Sequence, residues 1–281
     1  MKYVWSILLL AICMMGQSPS PQTSSPLPSA QSSAPASSQS IPVDQANARK
    51  AKALLDQAIE ALGGPAYLNF RDMEQEGRTY SFFHGQPTSA GIVFWRYVRF
   101  PDKERIELTK ERDVADVFVA DKGYEITYKG VRNLDTKEMT DYLRRRKYSL
   151  DWVLRRWLNE PGVALFYDGP AVAAEKPAEQ VTIINSKNES VTIYFDVNTH
   201  LPIKKSFSWR DPTDKQRNIE EEIYDNYRAY GGIMTPHSLT RFFNGDMANQ
   251  RFLNSVTFNQ DPPDVMFDPN SGYNPNKPPK H

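Results

Sequence analysis

The apolar positions of this chain change period once near its start. Between residues 48 and 62 they fall at Ala51, Leu54, Leu55, Ala58, Ile59 and Leu62, the single stripe of an amphipathic helix, and Gly63, Gly64 and Pro65 end it. From there the spacing drops to alternation. Strands are expected at 73–83, 91–100, 105–110, 114–120 and 123–129, then at 163–167, 180–185, 190–196, 201–209, 217–229, 237–243 and 247–259. The clearest is VTIYFD at 191–196, with Val191, Ile193 and Phe195 on one face and Thr192, Tyr194 and Asp196 on the other. Between the two runs of strands lies a helical insert, 135–159. Asp135 or Thr136 caps its first helix and Ser149 its second, where Leu150, Val153, Leu154, Trp157 and Leu158 form a stripe.

This order predicts an α+β domain, a strongly curved antiparallel sheet of about 11 to 12 strands with helices over its concave face. So many short strands must curl, because strand twist accumulates across a sheet. No fixed repeat occurs, which sets aside propellers and solenoids.

The first 42 residues read differently. Lys2 and an apolar run to Gly16 form a secretory signal peptide, residues 1–17, too short for a spanning helix of roughly 20 residues. Two alternatives stay open, an uncleaved anchor and lipid attachment at Cys13, although Ile12 and the following Met14 and Met15 fit a lipidation signal poorly. Residues 18–43 are a tether, and 17–42 hold 10 Ser, 6 Pro and no charge, a composition that buries too little apolar surface to fold. The folded body is expected at 44–269, with a disordered tail at 270–281. Export follows from the leader.

Composition narrows the chemistry. Lys+Arg and Asp+Glu both number 34, so the broad basic field of a nucleic-acid binder is missing. Cys13 is the sole cysteine, which excludes a disulfide scaffold and a cysteine-rich zinc site. No nucleophile elbow, phosphate loop, dinucleotide turn or zinc-protease helix occurs, and His84, His200, His237 and His281 have no partner at ligand spacing. The reading is of a protein without catalytic residues, cofactor or metal. A hydrolase using His237 as general base is the minor alternative. Glu220, Glu221 and Glu222 read as a solvated strand face. Arg144, Arg145, Arg146 and Lys147, with Arg155 and Arg156, put six positive charges on the insert, either a solvated helix face or a patch for anionic lipid head groups or a partner.

The sequence resembles the outer-membrane lipoprotein-sorting proteins, the LolA/LolB-like carriers and their relatives. The resemblance runs over about 48–269 and rests on ALLDQAIEALGG at 53–64, IYFDVNTHLP at 193–202, YRAYGGIMTP at 227–236, and VTFN at 256–259 followed by FDP at 267–269. It implies an incomplete barrel whose apolar concave face, covered by helices, accepts acyl chains of a lipid or lipoprotein. The expected concave set is Ile126, Val191, Ile193, Phe195, Ile203, Phe207 and Trp209, met by Leu154 and Trp157 of the insert, with entry by displacement of that helix. The alternative is an envelope structural or interaction module whose concave face its own helices fill.

Overall fold

The computed structural model describes residues 43–276 apart from Ser89; the expected leader, most of the tether and the last five residues lie outside the described residues. Helix α1 (Val43–Leu62) buries Ala51, Leu55, Ala58 and Leu62, one stripe as its period requires. Gly63 ends it at φ 126°, where an added Cβ would lie 2.4 Å from the Gly232 carbonyl oxygen, so only glycine lets the helix end dock there. A short helix α2 (Pro65–Asn69) follows. Then come β1 (Asp72–Phe83), β2 (Gln86–Pro87), β3 (Ile92–Arg99), β4 (Lys103–Leu108), β5 (Val114–Val119), β6 (Lys122–Thr127) and β7 (Gly130–Asn133).

The insert forms α3 (Thr136–Lys147), α4 (Leu150–Arg155) and a 3₁₀ turn (Trp157–Asn159). Its caps are the expected ones. Asp135 accepts from the Glu138 amide at 2.7 Å while Glu138 accepts from the Asp135 amide at 3.0 Å, and Ser149 Oγ accepts from the Trp152 amide at 3.3 Å. Seven strands complete the chain: β8 (Ala164–Ala173), β9 (Lys176–Ile184), β10 (Ser190–Asp196), β11 (Pro202–Arg210), β12 (Arg217–Tyr230), β13 (Ile233–Phe243) and β14 (Asp246–Phe258).

All fourteen strands join one antiparallel sheet in the order β7-β6-β5-β4-β3-β1-β14-β13-β12-β11-β10-β9-β8, with β2 paired to β1. It is strongly curved and open, an α+β half-barrel with edges at β7 and β8. The expected count of 11 to 12 falls short because β2 spans two residues and β7 is exposed throughout, so neither carries an apolar alternation. The topology also explains the insert. The chain steps outward from β1 to the edge at β7, must next reach the opposite edge at β8, and crosses the concave face on α3 and α4.

The core lies under these helices. Val191, Ile193 and Phe195 are buried, as their alternation predicts, together with Val181, Ile183 and Phe207 against α1, Val153, Leu154 and Trp157. Tyr148 stacks on Phe207 at 4.2 Å and meets Trp157 edge-on at 5.3 Å. On the opposite face a 3₁₀ turn (Asp264–Phe267) buries Met266 and Phe267, and Arg105 donates to the Met266 carbonyl at 3.1 Å and to Glu107 at 2.7 Å. Part of the expected tail is packed as well: Arg105 lies 5.0 Å from the Tyr273 ring, and Asn276 donates to the Glu111 carbonyl at 2.7 Å.

Candidate functional site

Six of the nine residues expected on the concave face, Val191, Ile193, Phe195, Phe207, Leu154 and Trp157, share one core cluster and are 4% exposed or less. Trp209 sits half-buried at its margin, its indole donating to Glu220 at 3.1 Å while Arg144 lies 3.5 Å above its ring. Two residues fall outside. Ile126 is half-buried in β6, near the β7 edge. Ile203 packs with Ala173, Ala178 and Tyr194 instead, because a bulge between Tyr194 and Phe195 shifts the register there and sends Ile203 to the opposite face.

The basic run is divided rather than presented as one patch. Arg144 pairs with Asp141 at 2.7 Å and Glu220 at 3.0 Å, and Lys147 with Glu189 at 2.5 Å. Arg155 donates to the Phe70 and Leu68 carbonyls at 2.6 and 3.2 Å and covers the Phe70 and Phe100 rings, and Arg156 is exposed. Arg145 and Arg146 point elsewhere, into a cavity. Glu220, read as solvated, is 3% exposed and is the acceptor that holds Arg144 and Trp209.

That cavity has a volume of about 440 Å³, within the roughly 300–1,000 Å³ of ligand sites. None of the nine expected residues lines it. Its floor is the inward face of β5, β4, β3, β1, β14, β13 and β12, and its roof includes Tyr142, Arg145, Arg146, Ser149, Leu150 and Trp152 of the insert. Register orders the floor. At one end Met73 lies opposite Val98 and Phe258, close to Phe70 and Phe100, an apolar group flanked on β4 by Lys103 and Glu104, which are paired with Asp264 and Arg96. Moving along β1, Gln75 lies opposite Arg96, Gly77 opposite Leu253, and Thr79 opposite Arg251. Over the six residue steps from Met73 to Thr79, roughly 20 Å of strand, the lining along β1 and β14 passes from apolar to cationic. Gly77 is required at the midpoint, since a Cβ there would lie 2.2 Å from the Phe252 carbonyl oxygen. A second cleft of about 480 Å³ outside the apolar end shares Phe70, Ile233 and Phe258 with the cavity, so these three form the wall between them.

The acids in the lining are mostly occupied. Arg96 donates to Glu104 at 2.6 Å and Gln75 at 3.1 Å, and the Tyr142 hydroxyl donates to the other oxygen of Glu104 at 3.0 Å. Burial alone would raise the Glu104 carboxyl, but Arg96 and these hydrogen bonds hold it below its ordinary range. Glu222 takes Lys205 at 2.8 Å and the Tyr224 hydroxyl at 2.5 Å, and Asp151 takes the Tyr67 hydroxyl at 3.0 Å. Asp116 differs: burial, then the nearby Glu125 and Glu138, push it up to about 6. A carboxyl whose folded pKa exceeds its unfolded value destabilises the fold as pH rises from about 4 through 6. Asp116→Asn should therefore raise the melting temperature at pH 7 and leave it unchanged near pH 4, as a pair of thermal melts at the two pH values will show.

His237, the candidate base, is 2% exposed, stacked on Tyr230, with Nδ1 2.8 Å from the Leu253 carbonyl oxygen. Its Nε2 is buried without a partner among the described residues, so no hydroxyl is held against it. The cavity was missed because its lining alternates charged with apolar residues. The signal lay in parity: Arg96 shares a face with Phe94 and Val98, which are buried.

Two crystal structures share this fold. A DUF1329 family protein from Desulfovibrio piger matches at 11% identity with a TM-score of 0.56, over 78% of this chain and 97% of that chain. A domain assigned to outer membrane lipoprotein sorting from Vibrio parahaemolyticus matches at 12% identity with a TM-score of 0.52, over 80% of this chain and 98% of that chain. No protein-family model matches the chain, and no curated protein matches it by sequence. The fold is that of the lipoprotein-sorting domains, as the sequence resemblance implied.

Proposed function

We propose that this chain, built on the fold of the lipoprotein-sorting domains, is a non-catalytic carrier of lipid or lipoprotein acyl chains, exported to the periplasm or the outer-membrane periphery. The observation that carries the reading is the cavity between β-sheet floor and helical roof, of about 440 Å³, with Met73, Val98, Phe100 and Phe258 at one end. An acyl chain buried there gains about 0.8 kcal/mol per methylene. Leu154 and Trp157 do not line this cavity, so a chain bound in it leaves their packed core in place. Among the described residues no helix is long and apolar enough to cross a membrane, which suits a carrier released from it.

A second reading is an envelope structural or protein-interaction module. One observation favours it, the filling of the β9–β11 half of the concave face by the protein's own helices. Binding of a fluorescent fatty acid separates the two. Leu253 is half-buried in the cavity floor, opposite Gly77, so Leu253→Trp places its ring in the cavity. The variant should bind the fatty acid about tenfold more weakly, roughly 1.4 kcal/mol, with its melting temperature little changed. Absence of binding by the unaltered protein would favour the structural module.

A further inference from the structure

We infer that the cationic end of the cavity is an anion site, in which Arg251, Arg146 and Arg145 hold the phosphate or carboxylate headgroup of the acyl ligand. The inference rests on the carrier reading and deepens it by naming the ligand's polar end.

The charges in the lining do not balance. Six cationic residues line the cavity, Arg96, Lys103, Arg145, Arg146, Arg241 and Arg251, against four acids, Glu104, Asp116, Asp151 and Glu222. Arg96 is taken by Glu104, Lys103 by Asp264 at 2.7 Å, and Arg241 lies 3.8 Å from Glu220. Glu222 is held by Lys205 from outside the cavity. Among the described residues Arg145, Arg146 and Arg251 have no side-chain hydrogen bond or ion pair; Arg146 and Arg251 rest only on the faces of Tyr142, Trp152 and Phe94.

Two of these cations carry buried donors with no partner. Arg251 Nε and Arg146 Nη1 are fully buried without an acceptor among the described residues, and both residues line the cavity. A buried donor without a partner is costly, and an unpaired buried guanidinium more so. Burial, then the like charge of Arg96, lowers Arg251 to about 10, the strain that a bound anion would relieve. Guanidinium suits this role, since its planar fork matches the oxygens of phosphate and carboxylate. The placement suits an amphiphile, because Arg251 lies at the opposite end of the floor from Met73, Val98 and Phe258.

The test measures affinities for four probes: palmitate, palmitoyl lysophosphatidic acid, monopalmitoylglycerol as the uncharged analogue, and inorganic phosphate. The unaltered protein should bind the two anionic lipids at least about tenfold more tightly than the uncharged one, with the preference shrinking as salt rises. Arg251→Met and Arg146→Met should each remove most of that preference and leave monopalmitoylglycerol binding unchanged. Both relieve an unpaired cation, so neither should lower the melting temperature. Equal affinity for charged and uncharged lipids, unaltered in the variants, would overturn the anion site and leave the carrier reading standing. Binding of no lipid would overturn both. Phosphate bound as tightly as lysophosphatidic acid would assign the site to free oxyanions and overturn the headgroup. A marked loss of stability in both variants would show the arginines to be structural and overturn it too.

Discussion

Ile193→Asp should leave the domain unfolded at room temperature. Ile193 is fully buried in β10, between Val191 and Phe195, and packs in the cluster that α1 and α4 cover. The substitution removes a buried aliphatic side chain and places a carboxylate where nothing pairs with it, a combined cost of about 5 kcal/mol or more. Whole domains are stable by only about 5 to 15 kcal/mol. Thr192→Asp, one residue away on the half-buried opposite face, should cost about 1 kcal/mol. Circular-dichroism melts of the two variants check the face assignment, and equal losses would contradict it.

Lys205→Met should cost about 3 to 5 kcal/mol at neutral pH, although methionine fills nearly the same volume. Lys205 is fully buried, its ammonium donating to the Tyr148 carbonyl at 2.6 Å and lying 2.8 Å from Glu222. Burial would raise the Glu222 carboxyl, yet Lys205 and the Tyr224 hydroxyl hold it below its ordinary range. In the native protein the stability that Glu222 contributes is therefore present above its unfolded pKa and lost as pH falls below it. Without Lys205 the sign reverses, since the half-buried carboxylate loses its counter-ion and keeps only the Tyr224 hydroxyl, so that protonation relieves it. The deficit should shrink as pH falls from 7 to about 4. Denaturant titrations at several pH values check this, and a deficit independent of pH would show that Glu222 is not the residue left unpaired.

The sequence was legible wherever local rules act alone. The stripe of α1, both insert caps and the alternation of β10 follow from spacing and capping chemistry, and the structure has them. Ile203 went to the wrong face because it is itself the extra residue of a bulge in β11, left unpaired between Lys204 opposite Tyr194 and Pro202 opposite Phe195, and the alternation of the chain does not show it. Glu220 read as solvent-facing because its partners, Arg144 and Trp209, are 76 and 11 residues distant and meet it only once the insert crosses the sheet. The cavity escaped for the same reason. Its floor joins strands from both ends of the chain, and its charged members are neutralised or stranded by tertiary contacts that composition does not encode.

In the proposed carrier the acyl chain lies in this cavity and not within the packed core beside it. Photolabelling with a fatty acid carrying a diazirine at its methyl end, followed by peptide mapping, tests it most directly. Labels are expected on Val98, Phe100 and Phe258, at the apolar end of the cavity. Labels on Val191, Ile193, Phe195 or Trp157 would place the chain in the core under α1 and α4 instead, and would contradict it.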